Sequence, residues 1–332
     1  MSKRSWNDYL SYRVVRTAIV AVSVTAALLS TSRGEDYPTR PVHLIVPTGA
    51  GGGYDVFGRI VADQLSQRLG QAVVVENRTG AGTIVGTKSV IAAQPDGYTL
   101  LVGGLSNIIF NAGIYEKAPY DALKQLVPVA IIYKNFYIVV IPNQLPYNNI
   151  KELLAAAKDK PNSLNLATAG VGTGQQLSAV AFMLAKDTKF LEVPYKGATA
   201  VYPDLLSGRI DIFFDSTTGA LPFVKSGKVK ALAILSSERS KDTPEVPTMA
   251  EAGVKGLDID AWVGIFAPTG TPKPVIETLQ KAISASARTL SEKFVTVGGS
   301  FIEIPADKLT GYVQSEFDRW SEVIKVAGIK LN

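Results

Sequence analysis

A chain of 332 residues that is 46% hydrophobic and 19% charged has room for two domains of ordinary size, and it is neither collagen-like, coiled-coil nor disordered. Its formal charge of +5 sits mainly in residues 1–34, where Lys3, Arg4, Arg13, Arg16 and Arg33 face only Asp8, so the rest of the chain carries +1. A basic surface for nucleic acid is therefore not implied.

The basic stretch ending at Arg16 leads into residues 18–30 (AIVAVSVTAALLS), then Thr31, Ser32, Arg33 and Gly34 before the acidic Glu35 and Asp36. This order predicts a cleavable Sec-type signal peptide over residues 1–34, because about 13 apolar residues are too few to span a bilayer. Arg13 and Arg16 are not adjacent, so a twin-arginine signal is not supported. With no cysteine there is no disulfide, thiolate nucleophile, Cys-ligated metal or lipidated Cys anchor. The expected product is a free, soluble protein outside the cytoplasm, in a Gram-negative cell the periplasm.

From Val42 onward short apolar runs alternate with amphipathic stretches. Residues 42–46 (VHLIV) and 72–75 (AVVV) predict buried strands, with a helix between them carrying Phe57, Ile60, Val61, Leu65 and Leu69 and stopped by Gly70. A helix over 86–93 and a strand over 98–102 (YTLLV) follow. A new block begins near Tyr133, with a strand over 136–141 (FYIVVI), a helix over 149–159, a strand over 164–167 (LNLA) and a glycine loop over 168–174. The next helix is predicted to carry Leu177, Val180, Ala181 and Leu184 on one face. The pattern continues with a strand over 190–195, a helix over 200–207, a strand over 210–214 (IDIFF), a helix ending at Gly227 and a strand over 229–235. After a strand over 262–267 come long helices, the last with Leu309, Val313, Phe317, Trp320 and Ile324 on one side. Strands alternating with helices predict parallel sheets. The expected organisation is a discontinuous first domain (35–132 and 248–332) and an inserted second domain (133–247).

Two loops stand between a strand and a helix: residues 47–55 (PTGAGGGYD) and 168–174 (TAGVGTG). Glycines there let backbone N–H groups approach a ligand, and the helix N-terminus behind favours negative charge. One such loop in each domain would hold an anion across a cleft without Arg or Lys. Either loop alone can equally be a tight turn. Asp55 reads as a helix cap with an i,i+4 ion pair to Arg59 or as a ligand contact. Asp215 follows a strand, where open α/β sheets place their sites, or caps the next helix. Tyr54, a large aromatic in a glycine loop, is placed to give a ligand an apolar wall or a phenol hydrogen bond.

Other chemistries fail on the residues. Tyr54 and Gln175 stand where the dinucleotide fingerprint needs Gly or Ala, and residues 82–89 (GTIVGTKS) lack the G-K-[ST] triplet, so no nucleotide cofactor is expected. His43 is the single histidine and lies in a predicted strand, which leaves no His-based metal site and, with no G-x-S-x-G elbow, no standard triad. The pairs Asp258/Asp260 and Glu316/Asp318 read as solvated. No enzyme activity, metal or cofactor is predicted.

Eight segments occur in one order: YPTRP (37–41), PTGAGGGYD with Arg59 after it, VENRTGAGTIVG (75–86), PDGYTLL (95–101), VPYKG (193–197), DLLSGRIDIFFD (204–215), VPTMAEAG (246–253) and FAPTGTP (266–272). Together they cover essentially the whole mature chain, and the sequence resembles the Bug proteins, the extracytoplasmic substrate-binding proteins of tripartite tricarboxylate transporters. The resemblance implies a type II periplasmic-binding-protein fold, two α/β sandwich domains closing around a small organic carboxylate. Terephthalate or a dicarboxylate is a candidate ligand, the permease subunits are partners, and the protein is a monomer. Carried over, the first-domain contacts fall on Gly51, Gly52, Gly53, Tyr54, Asp55, Ser106 and Asn107. Those of the second domain fall on Thr168, Ala169, Gly170, Gly172, Thr173, Gly174, Gln175 and Asp215. Relatives usually have Ser or Thr at Tyr54 and often His in the segment of Gln175, Gln176 and Leu177, so the ligand cannot be taken from them. The alternatives are a carboxylate sensor that feeds a membrane receptor, or an exported hydrolase or lyase using the same cleft.

Overall fold

The computed structural model describes residues 37–326 apart from residue 116. The expected signal peptide lies outside them. The chain divides into residues 1–39, of which Tyr37, Pro38 and Thr39 are described, and residues 40–332, which hold every element below. Among the described residues no helix is long and apolar enough to cross a membrane.

Strand β1 (Val42–Val46) is the centre of a parallel set, with β2 (Val73–Asn77) on one side and β3 (Thr99–Gly104) on the other. Helix α1 (Gly53–Leu69) connects β1 to β2 and buries Phe57, Val61 and Leu65, and Gly70 ends it in the left-handed conformation with φ of 66°. Helix α2 (Ile84–Ile91) connects β2 to β3. After β3 the chain makes a π-helical turn, Leu105–Phe110, whose six residues are all buried.

Strand β4 (Leu126–Pro142) is 17 residues long and serves two sheets. Its first part, Leu126 to Phe136, pairs antiparallel with β9 (Asp260–Pro268), which also borders β3. Its last part, from Tyr137 to Pro142, pairs with β7 (Ile212–Ser216) and β8 (Val229–Ile234). The second sheet continues through β5 (Asn165–Thr168) to β6 (Leu191–Pro194), both parallel to β7. Each sheet thus repeats one plan. Three parallel strands (β2-β1-β3 and β6-β5-β7) are followed by a strand that has crossed from the other half, β9 in the first sheet and β4 in the second. The short strand β10 (Ser300–Phe301) pairs with β4 in the first sheet.

Helices α3 (Ile150–Asp159), α4 (Gly174–Lys186) and α5 (Thr217–Lys225) belong to the second half. Helices α6 (Lys273–Ser284), α7 (Ala287–Thr296) and α8 (Leu309–Val326) follow β9. Asn149 caps α3 by accepting the Glu152 N–H at 2.9 Å. The line Leu309, Val313, Trp320 and Ile324 on α8 is buried, with Phe317 partly so, as the spacing predicts.

Three expectations need correction. The strand expected over 136–141 begins ten residues earlier, at Leu126, and runs through the block boundary placed near 133. The cause is Pro128 and the polar pair Lys134 and Asn135, which interrupt the apolar run, while β-bulges near 128–133 absorb the irregularity. Leu184 is 52% exposed, because the buried side of α4 follows the small residues Ser178 and Ala179 with Leu177 and Phe182. Glu316, expected to be solvated, is buried and accepts the Trp262 indole N–H at 3.0 Å, which a buried Trp requires.

Candidate functional site

The carboxyl ends of β1, β3, β5 and β7 all open onto one cleft between the two sheets, the position where strands of open α/β sheets present ligands. After β1 the loop 47–52 turns into α1 through Gly52, an N-cap with no side chain to satisfy the first helical N–H groups. Asp55 secures this loop from behind. Its Oδ2 accepts the Gly51 N–H at 2.8 Å and Arg59 Nε at 2.9 Å, and its Oδ1 accepts Asn77 Nδ2 at 2.9 Å. Burial alone would raise the Asp55 pKa, but these hydrogen bonds and the Arg59 charge outweigh it and hold the carboxyl below its ordinary value. Asp55 is 2% exposed and lies outside the cavity lining. Among the described residues, the N–H groups of Gly53 and Tyr54 have no acceptor in the protein.

The second loop is built on the same logic. Thr173 caps α4, accepting the Gln176 N–H and donating its hydroxyl to Gly170 O at 2.7 Å, while Gln176 Oε1 reaches back to the Gly172 N–H at 2.9 Å. The Gly174 N–H is donated across the cleft to Ser106 Oγ at 2.9 Å. The Gln175 N–H, next in line, has no acceptor among the described residues. The segment between β2 and α2 also meets the second loop: Gly82, at φ of 59°, leaves no room for a Cβ beside the Val171 carbonyl.

Between the sheets lies a cavity of about 60 Å³. The first loop contributes Thr48, Gly49, Gly52, Gly53 and Tyr54, and the π-helical turn contributes Leu105 and Ser106. Ala169, Thr173, Gln175 and Ser216 come from the second half, Asn135 and Tyr137 from β4, and Ala261 and Trp262 from β9. Among the described residues no Lys, Arg, His, Asp or Glu lines it. The Tyr54 hydroxyl turns inward to Ser106, which also bonds Tyr137; burial pushes both phenols well above their ordinary pKa and keeps them neutral. A wider outer chamber of about 650 Å³ shares Thr48, Gly49, Thr83, Ala169, Thr173 and Gly197 with the inner one, and among the described residues Lys196 is its single charged wall residue.

Asp215 sits beneath the cavity. Its Oδ2 accepts the Tyr202 hydroxyl at 2.7 Å, and its Oδ1 accepts the Ser216 N–H at 2.8 Å and Gln175 Nε2 at 3.4 Å. Burial pushes its pKa up to about 6, against those three hydrogen bonds.

Of the residues singled out in the sequence, the cavity brings together Gly52, Gly53, Tyr54, Ser106, Ala169, Thr173 and Gln175. Gly170 lines the outer chamber. Gly51, Asp55, Thr168, Gly172, Gly174 and Asp215 line neither chamber. Asn107 is buried with its amide committed to the Gly104 N–H, Val102 O and Thr87 Oγ1. Sequence reasoning missed Thr48, Asn135, Tyr137, Gly197, Ser216 and Trp262. Alternation within β4 is the signal that places Asn135 and Tyr137 on one face. Among the described residues no group of His, Asp and Glu is arranged to hold a metal.

The sequence profile of the tripartite tricarboxylate transporter family receptor matches residues 57–329. The chain belongs to this receptor family. Protein BugT of Bordetella pertussis is 32% identical over 318 residues, covering 95% of this chain and 98% of BugT. The periplasmic binding protein BugD superposes with a TM-score of 0.84 at 35% identity, covering 89% of this chain and 99% of BugD. An R. palustris protein solved with adipate gives 0.85 at 29% identity, covering 89% and 99%. MatC from Rhodopseudomonas palustris with bound malate gives 0.81 at 31% identity, covering 87% and 100%. The fold of this receptor is accordingly that of the periplasmic binding proteins, as its ordered motifs suggested, and it is a solute-binding protein of the Bug type.

Proposed function

We propose that this receptor captures a small organic carboxylate in the inner cavity and presents it to the membrane subunits of a tripartite tricarboxylate transporter. The observation that carries the reading is the convergence of unpaired N–H groups from two helix N-termini, Gly53 and Tyr54 of α1 and Gln175 of α4, on a cavity with no cationic side chain. Such groups suit a carboxylate because the helix ends carry partial positive charge and need an acceptor. The adipate and malate bound to two structural neighbours support the same class of ligand.

In this reading residues 35–132 and 248–332 form one domain and 133–247 the other. They hinge where β4 passes between the sheets and on the return segment from Leu235 to Ile259. Ligand joins the two loops, and the shut form is the one the permease receives. Residues 1–34 direct export and are removed, and the protein works as a monomer in the periplasm. Binding is favoured over chemistry because the polar groups facing the ligand are neutral phenols, amides and hydroxyls. A dicarboxylate long enough to leave the inner cavity would meet Lys196 in the outer chamber.

The test is isothermal titration of purified, ligand-stripped protein against mono-, di- and tricarboxylates and aromatic acids. Saturable heat from at least one acid is expected. Silence across the panel from folded protein would end the proposal.

A further inference from the structure

Asp215 is one hydrogen bond removed from the carboxylate cradle on two sides. Gln175 and Ser216 both line the inner cavity, and Asp215 Oδ1 accepts the Gln175 side-chain amide at 3.4 Å and the Ser216 N–H at 2.8 Å. Gln175 thus offers its main-chain N–H to the ligand while its side chain ends on this carboxyl. Asp215 is fully buried, and it has little room on its far side: a Cβ on Gly219, in the first turn of α5, would stand 2.6 Å from Oδ2.

The groups that face Asp215 are neutral. Tyr202 donates its hydroxyl to Oδ2 at 2.7 Å, and Tyr137, on the opposing strand β4, is a second buried phenol. Charged side chains on the surrounding elements are engaged elsewhere. Asp204, on the short helix Tyr202–Leu206, meets Tyr195 and Arg209, and Asp211, ahead of β7, accepts the Asn165 N–H. Glu192 of β6 meets Gln176, and Lys186 of α4 reaches Gly253 O. Lys225 of α5 pairs with Asp242, Lys230 of β8 reaches Leu145 O, and Lys134 of β4 lies over the Phe136 ring.

An acid anion entering the cradle brings a second negative charge toward a buried carboxyl in a cavity with no cation. Two carboxylates so placed avoid the repulsion by keeping a proton. Burial already pushes the Asp215 pKa up to about 6, so a modest further push suffices near neutral pH. The proton also has a place to go, since the Tyr202 hydroxyl beside Oδ2 can accept as well as donate. We propose that capture of the acid is coupled to uptake of one proton by Asp215: a proton from solvent forms an O–H bond on Oδ2 as the anion enters and returns to solvent as the anion leaves. The ligand itself stays ionised at the helix N-termini. Falling pH then tightens capture, and rising pH favours release. The inference rests on the carboxylate reading above.

The experiment is calorimetry at pH 7 with each acid that binds in the panel above, sodium malate, adipate and benzoate among those tried, in Hepes, imidazole and Tris at one ionic strength. The slope of the observed heat against the ionisation heat of the buffer counts the protons that accompany binding. Uptake of about half a proton or more is expected, and affinity should fall roughly tenfold between pH 6 and pH 8. In Asp215→Asn both the uptake and the pH dependence should disappear. A second measurement needs no variant. In wild-type protein carrying ¹³C at the aspartate side-chain carboxyls, the infrared difference spectrum on binding should gain the isotope-shifted carbonyl band of a protonated aspartic acid, which an unlabelled ligand cannot give. Binding without proton uptake, uptake that persists in folded Asp215→Asn, or uptake without the labelled band would overturn the coupling while sparing the carboxylate reading. Silence from every acid would take the carboxylate reading down with it.

Discussion

Ser106 Oγ accepts the Gly174 N–H at 2.9 Å, tying the turn after β3 to the first residue of α4 across the cleft. In the proposed closure this bond is made only while the two sheets stand at this separation. Ser106→Ala should weaken carboxylate binding by about five- to tenfold, the worth of one buried hydrogen bond. Stopped-flow measurement should place most of that loss in the dissociation rate.

Gly172 has φ of 79° and faces Asn111 of the other half, where a Cβ would run into the Asn111 amide oxygen. Gly172→Val should hold the cleft open and abolish binding. Its stability cost should stay near 1–3 kcal/mol, the strain of one residue in this region. Circular dichroism melts beside calorimetry check both halves of the statement.

Asp55 and Arg59 form one ion pair with unequal ends, since the Asp55 side chain is 3% exposed and the Arg59 side chain 54%. Asp55→Ala strands the Gly51 N–H, takes one acceptor from the Asn77 amide and should cost about 2–4 kcal/mol together with ligand affinity. Arg59→Ala removes an exposed partner and should cost about 1 kcal/mol or less. Equal losses in denaturant titrations would mean that Asp55 does not hold the loop.

Asp215 has its folded pKa raised to about 6 by burial, so the native state retains a proton that the unfolded chain releases from its ordinary value near 3.8. Its contribution is therefore most favourable below that value and is lost as the pH rises toward 6, after which it is flat. The wild type should lose about 2 kcal/mol more than Asp215→Asn between pH 4 and pH 6.5. Urea titrations at the two pH values, read as a difference between the proteins, isolate this carboxyl from the others.

Much of the fold was legible because most strands and helices announce their own period and stops: Gly70, Asn149 and the buried line on α8 each acted locally. The site was legible where a glycine loop joined a strand to a helix. What stayed hidden depended on distant partners. Asn135 acquires its meaning from β9, more than a hundred residues downstream, and Tyr137 from Ser216 of β7, and nothing near them in the chain reports which face will turn to the cleft. Asp55 and Asp215 each carried two readings in the sequence. Hydrogen bonds to Gly51 and Asn77, and to Tyr202 and Gln175, set both carboxyls behind the cavity wall.

Strand β4 also dictates the order in which this molecule can be made. The first sheet has a gap between β3 and β4 that only β9 fills, and the second sheet takes its antiparallel strand from the far end of the same β4. The first sheet does not close until residues 260–268 have arrived, so an emerging chain cannot complete its amino-terminal half and then start the next. Pairing across so long a sequence separation makes for slow, all-or-none assembly. A truncated chain ending before β9 would leave both β3 and β4 with open edges, exposing the strand surfaces most prone to aggregate.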